Sequence, residues 1–260
     1  MVLFYQIIHI QKQELIILQN KKRNLNYEDV QIKTLDQITL RGWLIKQENS
    51  NEKPTVVFFH ENAGNIGHRL YYLKNYFENV KVNILIIAYR GYSNSDEVQQ
   101  INEQGLQIDS KAIIQYAFKC PQIDKNKIFL HGRSLGAAAL CYGVLNTNKQ
   151  PKGIILENTF TSIDDMVEII AKPLAQFSKF ILKNNWKTID IIQNIKNPSL
   201  FIKTKKDEII PSKQMDYLYE KCGSENKILF EIQEGQHNDS WKIDQNLYFS
   251  QIKKFIEQNC

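Results

Sequence analysis

The stretch Lys127-Ile-Phe-Leu-His-Gly-Arg-Ser-Leu-Gly-Ala-Ala-Ala-Leu140 decides the fold. It starts as a short apolar run typical of a buried strand and ends in an alanine-rich segment typical of a helix. Between the two lies a G-x-S-x-G pattern, in the strand–turn–helix setting that a nucleophilic serine requires. The turn places the Ser134 hydroxyl at the helix N-terminus, where a developing anion is favoured. The simpler alternative is a loop serine that only caps the helix.

Strand signals and helix signals alternate on both sides of this stretch. The predicted strands are 30–34, 38–45, 55–60, 83–89, 127–131, 153–156, 200–203 and 228–232, and the predicted helices are about 67–77, 103–118, 135–145, 212–221 and 240–258. The first two strands are predicted to form an antiparallel hairpin. The alternation that follows predicts a mostly parallel central sheet with helices on both faces, and the serine turn within it indicates an α/β fold of the α/β-hydrolase type.

A longer helical stretch over residues 163–192 interrupts the alternation. We interpret it as part of a small helical cap, inserted at about 159–194 into a hydrolase domain that spans 27–260. The cap carries apolar side chains at Met166, Ile169, Ile170, Leu174, Phe177, Phe180 and Ile181. These side chains suit an acyl chain, and they suit packing on the sheet equally well.

A serine nucleophile needs a histidine base and an acid. In this fold the three residues occur along the chain in the order serine, acid, histidine. His237 is the one histidine after Ser134, and it lies between the last predicted strand and the last predicted helix. The acid is expected after the strand 200–203, where Asp207 stands. Glu208 beside it is the rival, because the other aspartates in this half fall in helical stretches or at a helix start.

Several strings give the chain a specific family resemblance. They are Phe59-His-Glu-Asn-Ala-Gly-Asn-Ile-Gly-His-Arg69, Tyr89-Arg-Gly-Tyr92, Gly132-Arg-Ser-Leu-Gly136, Glu157-Asn-Thr-Phe160, Asp207-Glu-Ile-Ile-Pro211 and Gly235-Gln-His-Asn-Asp239. From about residue 27 to the C-terminus the chain resembles the α/β-hydrolase domain-containing protein 13 / Bem46 family. The resemblance implies a serine hydrolase with the triad Ser134, Asp207 and His237, and its relatives include protein depalmitoylases, which cleave thioesters.

The oxyanion hole of such an enzyme needs two backbone N–H donors. We expect one from Leu135, directly after the nucleophile, and the other from Asn62, in the loop after the strand that ends at His60. The family string in this loop is His-Gly-Asn-Ala-Gly, whereas this chain has Glu61 in place of the glycine. A positive φ at Glu61 would be strained, and a carboxylate near the hole would oppose the oxyanion. We expect the Glu61 side chain to point to solvent, so that Glu61→Gly would not lower kcat/KM.

Composition excludes several other classes of function. The chain has 260 residues with 33 basic and 28 acidic side chains, and the net charge of +5 is interleaved rather than clustered, which argues against nucleic-acid binding. Nucleotide-binding glycine motifs are absent, and His60-Glu61 does not continue into H-E-x-x-H because position 64 is glycine. The four cysteines are far apart, with no zinc spacing. We expect no metal and no cofactor.

In the N-terminal segment, residues 1–26, we expect neither a transmembrane span nor a signal peptide, because its apolar run is broken by Gln6 and His9 and no small-residue cleavage site follows it. Residues 2–18 are predicted to form an amphipathic helix, followed by the basic residues 21–23. Two interpretations stay open: a helix that covers the domain, and an interfacial helix that makes peripheral membrane contact through residues 2–23. Scattered cysteines suit a reducing compartment, so we expect a cytoplasmic protein, with a membrane surface as an alternative place of attachment.

The function predicted from these residues is hydrolysis of a carboxylic ester or thioester by a serine esterase or thioesterase. The resemblance adds a lipidated protein, bearing a palmitoyl thioester, as a candidate substrate. Two alternatives remain: a serine peptidase, and a catalytically silent hydrolase fold that serves as a binding module. Glu61 is the feature that keeps the silent module in consideration.

Overall fold

The computed structural model describes residue 25, residues 27–170 and residues 184–260, with side chains described to residue 166 in the first of the two long ranges. Within these residues one sheet contains eight strands. They are β1 (Tyr27–Lys33), β2 (Thr39–Ile45), β3 (Thr55–Phe59), β4 (Asn83–Ala88), β5 (Ile128–Arg133), β6 (Gly153–Glu157), β7 (Ser199–Thr204) and β8 (Lys227–Ile232). Each predicted strand is present, with shifts of a few residues at the ends.

The strand order is β1-β2-β4-β3-β5-β6-β7-β8. Strand β2 pairs antiparallel with both β1 and β4, and the six strands from β3 to β8 run parallel. A two-strand hairpin joins β1 to β2, whereas parallel neighbours need crossover segments that cover the two faces of the sheet. The predicted α/β-hydrolase fold is confirmed.

Helices of the described residues follow the predicted alternation. They are α1 (Leu70–Val80), α2 (Glu103–Ala117), α3 (Leu135–Leu145), α4 (Ile163–Ile170), α5 (Thr188–Ile191), α6 (Lys213–Lys221) and α7 (Gln245–Asn259). The predicted helix at 67–77 begins later, because a 3₁₀ turn over Ile66–Arg69 precedes α1. The last helix also begins later than predicted, because the Asp244 side chain accepts from the Leu247 N–H and caps it there.

The centre of the sheet holds the core and positions the serine turn. Strands β3, β4 and β5 are buried along their whole length, and most residues of α3 are also buried. A Cβ placed on Gly136 would lie 2.1 Å from the Phe59 carbonyl oxygen, so only glycine allows α3 to approach β3 this closely. The start of α3 is therefore pressed against the carboxyl ends of β3 and β5.

Parts of two predictions lie outside the described residues. One is the N-terminal segment, of which only Leu25 is described; the other is the middle of the cap, residues 171–183. The described ends of the cap are α4 before this gap and, after it, α5 with a 3₁₀ turn over Ile192–Asn194. Of the cap's predicted apolar side chains, Met166 alone is described. In the described ranges no helix combines the length and the apolar character that a membrane span requires.

Candidate active site

Ser134 lies on a strained turn between β5 and α3. Its backbone has φ 54° and ψ −125°, a combination that a serine adopts only when its surroundings impose it. The Ser134 N–H donates to the Glu157 carbonyl at 2.9 Å, and the Thr159 hydroxyl donates to the Ser134 carbonyl at 2.8 Å. The Ser134 hydroxyl makes no capping bond to α3. The turn thus has the geometry of a nucleophile elbow, and the structure does not support a simple capping role.

Asp207 and His237 form a buried pair at the ends of β7 and β8. An Asp207 carboxylate oxygen lies 2.6 Å from Nδ1 of His237, and the side chains are 2% and 4% exposed. The other oxygen accepts from the N–H groups of Ile209 and Ile210 at 2.9 and 2.8 Å. Because an ionised carboxylate can only accept, Nδ1 carries a hydrogen, and in the neutral form of the ring Nε2 is then the nitrogen that can act as a general base.

Glu208, the rival acid, contacts the same histidine at a different atom. Its carboxylate accepts from the His237 backbone N–H at 2.8 Å. The structure therefore brings Asp207 to the imidazole ring and Glu208 to the main chain. Neighbours in sequence point in different directions here, which the spacing of the two acids could not reveal.

Asn158 is a site residue that sequence reasoning missed. It is 1% exposed, has a positive φ of 44° and follows directly after β6. Its side-chain oxygen accepts from the Thr204 N–H, and its amide nitrogen donates to the Thr204 hydroxyl at 2.9 Å and to the His237 carbonyl at 3.3 Å. Asn158 thus ties the end of β7 to the histidine loop. Its place in a string that follows a buried strand was the available signal.

Ser134 and His237 line the same cavity, which has a volume of about 340 Å³. The predicted oxyanion residues Leu135 and Asn62 line it too, whereas Asp207 lies behind the imidazole. The other described lining residues are mostly apolar: Glu61, Ala63, Ile101, Asn102, Glu103, Leu106, Phe160, Ile163, Met166, Asn184, Trp186, Ile209, Ile210 and Asn238. A more open depression of about 660 Å³ between α4 and α6 contains none of the predicted site residues. The smaller cavity is therefore the candidate active site.

The loop after β3 is held so that one of its N–H groups can face the cavity. Nδ1 of His60 lies 2.8 Å from the Glu61 carbonyl, and Nε2 accepts from the Tyr89 N–H at 3.3 Å. Both contacts require a neutral ring, and burial lowers the pKa of His60 to about 4. In a trans peptide the N–H points opposite to the preceding carbonyl. Anchoring the Glu61 carbonyl on His60 therefore aims the Asn62 N–H away from His60.

Leu135 is placed as expected at the start of α3. The first N–H groups of a helix have no partner within it, so the Leu135 N–H is available to a substrate oxygen. The Asn62 side chain accepts from the Tyr92 hydroxyl at 2.6 Å, which braces the loop that carries the second donor. The geometry is thus compatible with the predicted pair of donors.

The prediction that Glu61 points to solvent is wrong. Its side chain is 5% exposed, and its two carboxylate oxygens lie 3.2 Å from Arg133 Nη1 and 2.7 Å from Arg69 Nε. Its backbone is not in the positive-φ region, so the backbone strain considered for Glu61 is absent as well. Burial by itself raises the pKa of Glu61, but the two guanidiniums outweigh it and hold the pKa below its ordinary value. The charge beside the oxyanion loop is neutralised within the protein.

Arg133 is the centre of this buried cluster. Its Nε lies 2.9 Å from a Glu157 oxygen, and its guanidinium stacks 4.4 Å from the centroid of the Tyr72 ring. Tyr248 donates to the same Glu157 oxygen at 2.8 Å, as does Nε2 of His131 at 3.1 Å. Burial alone would raise the pKa of Glu157, but Arg133 and the His131 hydrogen bond lower it to about 2. The cluster joins β5, β6, α1, α7 and the loop after β3, and Arg133 directly precedes Ser134.

The described residues offer little to a metal ion. No group of three or more histidine, cysteine or acidic side chains within these ranges has the arrangement of a metal site. Apart from Ser134 and His237, the side chains that line the cavity are apolar, amide or acidic, and both acidic ones have hydrogen-bond or ionic partners.

The curated relatives and solved structures agree with the fold and the motifs. No protein-family model matches the chain. The chain is 36% identical over 241 residues to the protein bem46 of Schizosaccharomyces pombe, covering 92% of this chain and 79% of that one. It is 34% identical over 248 residues to the α/β-hydrolase domain-containing protein WAV2 of Arabidopsis thaliana, covering 90% and 80%.

Solved structures are similar over nearly the whole chain. An esterase of Pyrococcus furiosus superposes with a TM-score of 0.73 at 18% identity, covering 92% of each chain. An α/β-hydrolase of Vibrio vulnificus superposes with a TM-score of 0.75 at 18% identity, covering 95% of this chain and 88% of that one. Fold and serine turn therefore define an α/β-hydrolase. At the identities found among the curated relatives, the chain belongs to the Bem46-like family, as its motifs predicted.

Burial of Glu61 adds an expected loss of stability to the consequences of its replacement by glycine. Glu61→Gly should lower the free energy of unfolding by about 3–5 kcal/mol, because it removes one partner of a buried ionic cluster. Urea denaturation of Glu61→Gly, Glu61→Gln and the exposed control Glu52→Gly would measure this. A Glu61→Gly protein as stable as the parent would contradict the structural role of the cluster.

Acid should weaken the same cluster. The folded pKa of Glu157, about 2, lies below its ordinary value of 4.5, so the stabilisation is complete above pH 4.5 and is lost as the pH falls towards 2. The linked contribution is about 3 kcal/mol. Glu157→Gln should therefore flatten the dependence of unfolding free energy on pH in this window, relative to the exposed control Glu257→Gln. Equal slopes for the two variants would show that Glu157 does not carry this linkage.

Proposed function

We propose that the chain is a serine hydrolase that cleaves a carboxylic ester or thioester through Ser134, His237 and Asp207. The observation that carries the proposal is the joint placement of a strained serine and a buried Asp207–His237 pair at one apolar cavity. Esterases among the structural neighbours are consistent with the reaction class, although their similarity demonstrates the fold alone.

The proposed reaction proceeds in two acyl-transfer steps. Nε2 of His237 takes the proton of the Ser134 hydroxyl as its oxygen attacks the substrate carbonyl, whose electron pair moves onto oxygen. The N–H groups of Leu135 and Asn62 stabilise that oxyanion. Collapse expels the alkoxide or thiolate, which receives the proton from His237. Water then attacks the acyl-serine in the same way, releasing the carboxylic acid and regenerating Ser134.

Asp207 supports the base without touching the substrate. Its carboxylate faces the Nδ1–H and stabilises the imidazolium that forms during each step. Three hydrogen bonds hold this carboxylate in place, one from the ring and two from the main chain. The pair is almost fully desolvated, which strengthens the interaction where positive charge develops.

The apolar lining supports an acyl group as the bound part of the substrate. Family membership makes a palmitoyl thioester on a lipidated protein a candidate, and we extend the proposal to that substrate class. Neutralisation of Glu61 by two arginines removes the observation that favoured a silent binding module. A serine peptidase is the second candidate; it is less favoured because the accessible surface of the cavity is mainly apolar.

We further propose a cytoplasmic location. All four cysteines are free thiols, three of them buried, as expected in a reducing compartment. Peripheral membrane contact through residues 2–23 stays a proposal about a segment outside the described residues. A nucleic-acid partner is not part of the proposal.

Replacing the nucleophile tests the reaction directly. Ser134→Ala should reduce ester hydrolysis to background and abolish labelling by a fluorophosphonate probe, because the hydroxyl that forms the covalent intermediate is gone. The exposed Ser250→Ala serves as the matched control and should label normally. Retention of more than about a tenth of the activity in Ser134→Ala would identify another nucleophile.

The acid assignment is tested by a pair of neighbouring variants. Asp207→Asn should lower kcat by about 10⁴, because an amide cannot keep the histidine tautomer that the base needs. Glu208→Gln should cost less than about tenfold, since its amide oxygen still accepts from the His237 N–H. Steady-state kinetics of both variants, with folding checked by circular dichroism, would measure this. The opposite ranking would make Glu208 the acid.

A further inference from the structure

Glu103, the first residue of α2, forms hydrogen bonds with residues 184–186, where the chain returns from the cap. One carboxylate oxygen accepts from two successive N–H groups, those of Asn185 at 2.8 Å and Trp186 at 3.0 Å. In return, the Glu103 N–H donates to the Asn184 side chain at 2.8 Å. We call this set of contacts between Glu103 and residues 184–186 the Glu103 clamp. It joins segments about eighty residues apart in sequence.

The clamp holds Trp186 in an unfavourable backbone conformation. Trp186 has φ 44°, which is a true outlier for a bulky aromatic residue. Its side chain is nevertheless 5% exposed and lines the cavity that contains Ser134. Such strain persists only where the surroundings impose it, and it concentrates at ligand sites. The two N–H bonds to Glu103, together with the Thr188 N–H bond to the Trp186 carbonyl at 2.7 Å, hold this part of the chain.

Both acidic side chains that line the cavity are already satisfied. The second oxygen of Glu103 accepts from Gln107 at 2.9 Å, and Glu61 is paired with two arginines. Neither carboxylate is left to bind a cationic substrate group. The accessible surface of the cavity is mainly apolar, and Trp186 has the largest side chain among its described lining residues.

We propose that Trp186 is the residue that limits acyl-chain length in this cavity, with Glu103 as the positioning residue that sets its place. The inference rests on the proposed ester or thioester hydrolysis. The cavity of about 340 Å³ lies near the lower end of small-molecule pockets, which span ~300–1,000 Å³. A cavity of this size holds the part of an acyl chain next to the carbonyl, and Trp186 limits how much of a longer chain, palmitoyl included, can enter. Loss of the indole would open room for more of that chain.

The test is a profile of kcat/KM over p-nitrophenyl acetate, butyrate, octanoate, decanoate and palmitate for the full chain. Trp186→Ala should raise the palmitate-to-butyrate ratio by about tenfold or more, the scale that pocket contacts with a few methylenes set. Trp43→Ala is the matched control, since Trp43 is also 5% exposed but lies on β2 away from the cavity. Its ratio should match that of the parent. Trp186→Leu replaces Trp186→Ala if the latter does not fold.

Glu103 is tested by a pair of variants. Glu103→Ala should shift the ratio in the same direction as Trp186→Ala, with the change in KM rather than kcat, because the clamp acts through the wall and not on the reacting atoms. Glu103→Gln should restore the parental ratio, since its amide oxygen can accept both N–H bonds. Loss of stability alone would change kcat/KM for esters of every chain length by the same factor, and the palmitate-to-butyrate ratio would stay the same.

The outcomes separate this inference from the proposed function. A parent protein that reacts with the fluorophosphonate probe and hydrolyses esters, but whose ratio is unchanged in Trp186→Ala or Trp186→Leu, would overturn the role of Trp186. A ratio changed by Trp186 variants but not by Glu103→Ala would overturn the clamp. A parent protein that neither labels nor hydrolyses any ester would overturn the proposed function, and with it this inference.

Discussion

The buried ionic cluster around Arg133 is the constraint on which the rest of the site depends. Arg133 directly precedes Ser134, the proposed nucleophile, so its side chain extends from the turn that orients Ser134. Glu157 on one side and Glu61 on the other hold the guanidinium at 2.9 and 3.2 Å. Charges buried this deeply are costly unless they are paired. Pairing them correctly requires the serine turn, the oxyanion loop and β6 to take their observed positions together.

The two proposed oxyanion donors and the proposed base are held by contacts that share few residues. His60 orients the peptide before Asn62, α3 presents Leu135, and the Asp207–His237 pair closes the other side of the cavity. The histidine loop is held at three points: its ring by Asp207, its N–H by Glu208 and its carbonyl by Asn158. An array that must meet a transition state with sub-ångström precision needs such support from the surrounding shell.

The role inferred for Glu61 from the sequence differs from the role that the structure shows. In the linear string it is a charge placed beside an anion-stabilising loop, which would oppose the reaction. In the folded protein it compensates Arg69 and Arg133, and the net charge that a substrate oxygen meets is close to balanced. The carboxylate oxygens of Glu103 are occupied as well, in this case by neutral N–H donors at the cavity wall. Acidic residues in a cleft are therefore not by themselves evidence of a cationic ligand.

Local patterns were sufficient for the fold class, the strand–turn–helix around Ser134 and the places of Asp207 and His237. Strand and helix periods repeat over a few residues, and chemistry in a parallel sheet gathers where its strands end. Local patterns could not predict which way the Glu61 side chain points. Nor could they predict the hydrogen bonds of Asn158 to the histidine loop or those of Glu103 to the main chain at Trp186. These contacts join residues 72, 79 and 83 positions apart. Such pairs exist only once the sheet has brought distant strand ends together, so tertiary structure alone decided which charges meet and which side chains form the cavity wall.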